Sequence, residues 1–155
     1  MRFISYNAID YNLMSKSTVK RKLREYMREI WDYRWQSSTK GPQTKLFFPN
    51  INYRLKVKSS FVHDFYICQA LTNHGNNNSY LKRFNLKEFQ SCEKCGHDSD
   101  DSHHRIYDCI GYDTVRNDLK VAVVNANLHW PPPPSAFITH KLYSHFIVFC
   151  KSIFS

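Results

Sequence analysis

The sequence predicts a mainly α-helical small domain with an embedded CCHC zinc finger and short strands around 46–58. Three observations lead there. Apolar residues recur at three- and four-residue spacing in four separate stretches. One polar stretch, 91–109, gathers three of the five cysteines and three of the eight histidines. Hydrophobic residues make up 42% of 155, with only 4 glycines and 6 prolines, so a buried core is within reach and a low-complexity chain is excluded.

The elements follow in order. Residues 1–15 carry no clear period and read as a lead-in. Ser17 or Thr18 caps a helix from Val19 to about Trp35, with Val19, Leu23, Tyr26, Met27 and Ile30 on one face. SSTKGP breaks it. LFF at 46–48 and the alternating NYRLKVK at 52–58 are the strand candidates. Ser59 or Ser60 caps a second helix with Phe61, Val62, Phe65, Cys68 and Leu71 on its buried side, and His74-Gly75 with three asparagines stops it. A short helix covers Tyr80–Phe84. After the finger, Asp113 or Thr114 caps a helix with Val115, Leu119, Ala122 and Val123 aligned, and Pro131 to Pro134 end it. A last helix from about Ser135 aligns Ile138, Leu142, Phe146 and Phe149. The organisation expected is a lead-in (1–15), a basic helical region (16–90), the finger (91–109) and C-terminal helices (110–155).

The net charge is +9, and residues 1–60 carry all of the excess, thirteen Lys/Arg against four Asp/Glu. Its densest part is Lys20, Arg21, Lys22, Arg24 and Arg28, on the first helix. A run of this kind is either a solvated face or a phosphate-binding one, and it favours a nucleic-acid partner over a membrane. Trp31, Tyr33 and Trp35 read as core or as stacking platforms for bases. An odd cysteine count and the absence of a signal-like start or an 18-residue apolar stretch predict an intracellular protein, nuclear or cytoplasmic, with no membrane partner.

SCEKCGHDSDDSHHRIYDC has few groups that build a core, so something other than apolar burial must hold it. Cys92 and Cys95 form a C-x2-C knuckle followed by Gly96, whose freedom at positive φ suits the turn that aims two thiolates at one ion. Cys109 and one histidine complete a tetrahedral set; His103 and His104 compete, with His97 a weaker candidate. Metal binding would supply folding free energy on the order of 10 kcal/mol. A closed four-ligand site leaves no open position for water, so the zinc is structural. No Gly-rich phosphate loop is present, and Asp98, Asp100 and Asp101 read as a solvated polar turn. Cys68 and Cys150 read as small core residues, and His63, His74, His129, His140 and His145 have no partner pattern. No catalytic residues are expected.

Six motifs in order carry a resemblance: Trp35-Gln36; Thr39-Lys40-Gly41 with Thr44 and Pro49; QALTNHG at 69–75; YLKRF at 80–84; the cysteine and histidine set; and Arg116 with Leu119. Over roughly residues 16–125 the chain resembles the C-terminal segment of arthropod non-LTR retrotransposon polyproteins. The resemblance implies a position after reverse transcriptase and ribonuclease H, a CCHC finger and nucleic-acid binding. It also selects His104, through its offset to Cys109, giving Cys92, Cys95, His104 and Cys109 as ligands. Asn73 departs from the glycine usual in that family's LTGHG, and Ile110 from proline. The spacing from Cys95 to His104 is longer than in a retroviral zinc knuckle. The expected function is a zinc-dependent RNA- or DNA-binding module that also contacts other polyprotein domains. The competing one is a non-catalytic structural relic that docks on those domains and binds no nucleic acid specifically.

Overall fold

A computed structural model describes residues 14–57, 64–139 and 141–155. Its first element is α1 (Lys16–Ser37), capped by the Ser15 side chain, which accepts from the Thr18 N–H. None of its residues is fully buried. Val19, Leu23, Tyr26, Met27, Trp31 and Tyr33 are exposed, so the apolar stripe expected to face a core faces solvent for most of its length. The C-terminal third is the anchored part. The Trp35 indole N–H donates to the Phe48 carbonyl at 2.9 Å, the Asp32 carboxylate accepts from the Ile51 N–H at 2.8 Å, and the Gln36 amide donates to the Pro49 carbonyl at 2.6 Å.

Among the described residues no strand forms in the stretch 46–58; α2 (Pro42–Phe47) and α3 (Ile51–Lys56) occupy it instead. Pro42 opens α2 with its φ already helical and no N–H to satisfy, and the Asn50 side chain caps α3 by accepting from the Tyr53 N–H at 2.7 Å. Six residues are too few for alternation to distinguish a strand from one helical turn and a half, and the caps decide. Ser59, Ser60, Phe61 and Val62 lie outside the described residues, as do residues 1–13, His63 and His140.

The second large helix, α4 (Phe65–Thr72), is capped by Asp64. Its buried side is Ile67, Ala70 and Leu71, while Phe65, expected inside, is 72% exposed. Then come α5 (Asn78–Arg83), capped by Asn77, the long loop to residue 103, and a π-helical turn over His104–Asp108. A 3-10 turn (Ile110–Tyr112) leads into α6 (Asp113–Asn125); Leu119, Ala122 and Val123 are buried as expected, and Val115 is exposed. The last helix is split into a 3-10 turn (Pro134–Ile138) and α7 (Tyr143–Phe154).

The core sits where α7 packs against α4, α6 and the 134–138 turn. Ile138, Leu142, Phe146 and Phe149 are all buried, as their spacing predicts. Phe146 stacks on Phe137 at 4.6 Å between centroids and on Phe47 at 5.9 Å, which ties α2 into the same layer. Among the described residues no helix is long and apolar enough to cross a membrane.

Candidate metal centre and basic surface

The loop that carries the cysteines is shaped by backbone hydrogen bonds. The Gly96 N–H donates to the Cys92 carbonyl and the Cys92 N–H to the His97 carbonyl, both at 2.8 Å, which closes the C-x2-C turn. Gly96 has φ +77, where a side chain would be strained. His104 and Cys109 are five apart, a spacing an α-helix puts on different faces. The π-helical turn resolves this: the Cys109 N–H donates to the His104 carbonyl at 2.8 Å, an i to i+5 bond that brings the two residues to one side.

The result is convergence. One ligand atom each from Cys92, Cys95, His104 and Cys109 lies within 4.8 Å of the others, an arrangement able to hold one metal ion. The Cys92 and Cys109 sulfurs are 3.7 Å apart, and the Cys95 sulfur is 3.2 Å from His104 Nε2. A disulfide would hold sulfurs at about 2 Å, whereas two thiolates 2.3 Å from one tetrahedral ion stand about 3.8 Å apart. His104 is the histidine within the group. His103 points outward, its Nδ1 3.2 Å from the Asp108 carboxylate with both side chains exposed. His97 stacks flat on the His104 ring at 4.4 Å, with its Nδ1 turned to Ser99.

The electrostatics fit a cation. Burial, followed by the neighbouring Cys92 and Cys95 thiols, pushes the Cys109 thiol up to about 12. Cys95, on the surface side, is lowered by the hydrogen bond from the His97 N–H. Burial and then His97 lower the His104 pKa, leaving the neutral imidazole that a metal requires. Three sulfurs crowded together cannot all ionise in a partly buried pocket without a positive charge among them. His104 Nδ1 is buried with no hydrogen-bond partner.

The scaffold beneath the site was not legible as such. Asp100, expected in a solvated turn, is 2% exposed and takes the Arg105 Nε and Nη2 at 2.7 and 2.6 Å and the Asn78 N–H at 2.9 Å. Its partner Arg105 also donates to the Ile153 carbonyl of α7 at 2.7 Å. Burial alone would lower the Arg105 pKa, and the bonds to Asp100 hold it above its usual value. Asp101 caps the π-helical turn through the His104 N–H at 2.8 Å. Only Asp98 of the three is fully exposed. Arg116, 1% exposed, donates to the carbonyls of Ile106, Arg105 and Cys109 at 2.8 to 3.0 Å. The signal for it was present: Arg116 occupies the same helical face as Leu119 and Val123, a core position filled by a cation. Asn73, the departure from glycine, has φ +58, a region asparagine tolerates, and its side-chain oxygen accepts from the Ser102 N–H at 2.8 Å. It thereby pins the loop to the end of α4.

The basic residues lie elsewhere. Lys20, Arg21, Lys22, Arg24 and Arg28 are all exposed on α1, which carries seven basic and three acidic residues. Arg21 pairs with Glu25 at 3.0 Å on the surface, a contact of little energetic weight. Arg24 and Arg28 border a shallow groove with Leu23, Met27, Trp31 and Leu55. Trp31 and Tyr33 are exposed, and Trp35 is the half-buried member of the three. The principal packing partner of α1 among the described elements is α3, away from the turn that carries His104 and Cys109.

Comparison with known proteins bears on origin. No family model and no solved structure matches the chain. It is 31% identical over 139 residues to the "Retrovirus-related Pol polyprotein from type-1 retrotransposable element R1 4" of Nasonia vitripennis, covering 84% of this chain and 34% of that one. It is 33% identical over 138 residues to the R1 2 polyprotein of the same organism, covering 86% and 33%. A Bradysia coprophila R1 Pol polyprotein is 30% identical over 106 residues, 67% of this chain and 10% of its own length. The chain thus spans about a third of the length of the two Nasonia relatives. Over most of its length it is related to the Pol polyproteins of R1 retrotransposable elements, the kinship that its motif series pointed to.

Proposed function

We propose that the chain is a zinc-dependent nucleic-acid-binding module, equivalent to the tail that follows reverse transcriptase and ribonuclease H in such a polyprotein, with no catalytic residues of its own. Three thiolates and one imidazole are a donor set that favours zinc over hard cations. Cys92, Cys95, His104 and Cys109 would hold the ion, whose contribution is to fix the loop. The observation that carries the nucleic-acid reading is α1. Its basic side chains stand in solvent on a helix with no buried residue, beside the exposed ring of Trp31. Lys20, Arg24 and Arg28 repeat every four residues along one face, a spacing that tracks a phosphate backbone.

A second reading rests on the same helix. The exposed Leu23, Met27 and Trp31 beside Leu55 form an apolar groove suited to another polyprotein domain, and the basic residues would then be its rim.

Titration with RNA and DNA at several salt concentrations separates the two. If four of the five cations reach phosphates, log K against log salt slopes by roughly −3 on single strands and −3.6 on duplex. Changing Lys20, Arg24 and Arg28 together to alanine flattens the slope by about 2 to 3, while chelation lowers affinity with less change of slope. A wild-type slope retained by the triple variant refutes the assignment of phosphate contacts to α1. Absence of binding at low salt by the zinc-loaded protein leaves the docking reading.

A further inference from the structure

Three of the motifs that carry the resemblance, far apart in sequence, meet at one place that neither the metal cluster nor α1's basic face uses. Lys40 from Thr39-Lys40-Gly41, His74 from the segment after α4, and Tyr80 and Arg83 from α5 line a cleft of about 600 Å³. Thr44 and Ser79 add hydroxyls, and no carboxylate lines the cleft. The His74 and Tyr80 rings stack at 5.0 Å and 29°, and Tyr80 continues onto Phe84 at 4.9 Å. Phe84 is 54% exposed, and the Arg83 guanidinium sits 5.9 Å above its ring. Among the described residues neither Lys40 nor Arg83 is paired with a carboxylate.

Two cations without a carboxylate partner flank an aromatic ladder whose outer rings, His74 and Phe84, are exposed and whose middle ring, Tyr80, is half-buried, which matches a phosphate and a base on adjoining surfaces. Phosphate gives up counterions to cations, and every base has a face that stacks on an aromatic ring. A duplex keeps its base faces covered, so the ladder has use only for an unpaired strand. We propose that this cleft holds one to two nucleotides of single-stranded RNA or DNA, with phosphate on Lys40 and Arg83 and a base against Tyr80 and His74. The proposal deepens the nucleic-acid reading above and rests on it.

The test uses the whole zinc-loaded chain with a labelled short oligouridylate, a duplex of matched length, and free AMP as competitor. Lys40→Ala with Arg83→Ala should flatten the single-strand salt slope by about 1.4 and leave the duplex slope in place. Tyr80→Ala should weaken the oligouridylate about tenfold or more, and Tyr80→Phe should not. A 5-iodouracil strand should crosslink to the peptide containing Tyr80 in the unmodified protein, a readout that does not depend on any variant folding. Unchanged binding in all variants, with crosslinks confined to α1, overturns the cleft and leaves the nucleic-acid reading standing. AMP competing nucleotide for nucleotide would assign the cleft to a mononucleotide and overturn the strand. No binding of either polymer by the wild type overturns both.

Discussion

Replacing Asp100 by asparagine tests whether the loop is held by protein as well as by metal. The carboxylate is 2% exposed and receives three N–H donors, two of them from the Arg105 guanidinium. Asparagine preserves the volume but keeps one oxygen. Its NH2 then opposes the guanidinium in either orientation, and the Asn78 N–H as well where it takes the Oδ2 place, and the Arg105 charge, on a side chain only 11% exposed, loses its counter-ion. Removing one member of a buried pair costs about 3–5 kcal/mol because the survivor remains desolvated. For a chain of this size that is a fall in Tm of roughly 6–20 °C. The measurement is thermal unfolding of the zinc-saturated protein, with Asp98→Asn as the control; Asp98 is exposed, and its loss should stay within about 0.5 kcal/mol. Asp100→Leu combined with Arg105→Met should recover much of the loss, since a packed apolar pair leaves no orphan charge. A Tm within 2 °C of wild type in Asp100→Asn would refute the account and return the acidic run to a solvated turn.

Other substitutions probe the remaining parts. Cys92→Ser or Cys109→Ser should abolish stoichiometric zinc by elemental analysis, and His104→Ala should lose far more than His103→Ala, because His103 faces solvent. Arg116→Met should cost about 3 kcal/mol or more in urea unfolding, since it removes three hydrogen bonds to backbone carbonyls from a buried cation's site, and should weaken zinc binding by loosening the π-helical turn. Asn73→Ala should cost about 2 kcal/mol by the same measurement, through the left-handed backbone and the lost Ser102 contact; Asn73→Gly, which keeps the backbone free, should cost about 1. The salt-slope series on α1 completes the set.

What the sequence made legible follows from how locally each feature is encoded. The cysteine set was readable because its members lie within 18 positions and their chemistry allows few other uses. The C-terminal face of Ile138, Leu142, Phe146 and Phe149 was readable because long periodic segments fix a face. The stretch 46–58 was not, because two helices of six residues each offer too little period. The stripe on α1 misled for another reason. Periodicity states which residues share a face and not what covers it, and here the described residues leave Leu23, Met27 and Trp31 uncovered. Buried charge was the least readable feature. Asp100 and Arg105 look like any polar loop until Ile153, 48 residues on, supplies the third partner.

That last contact changes how the metal loop relates to the helices. A segment held by zinc alone would be an independent finger, unfolding on chelation while the rest stood. Here Cys92, Ile106 and Cys109 belong to the same buried cluster as Phe146 and Ile153. Arg105 reaches into α7, Arg116 reaches back from α6, and Asn73 and Asn78 tie the loop to α4 and α5. Each tie is a polar bond between a buried or half-buried side chain and the backbone or amide it meets, and opening one leaves a poorly solvated group behind. The binding energy of an ion held by the cluster would therefore be shared across α4 to α7 and not confined to 91–109. Removing the ion should lower the stability of the helical core together with the loop, and α2, which stacks Phe47 on Phe146 of α7, should weaken with them.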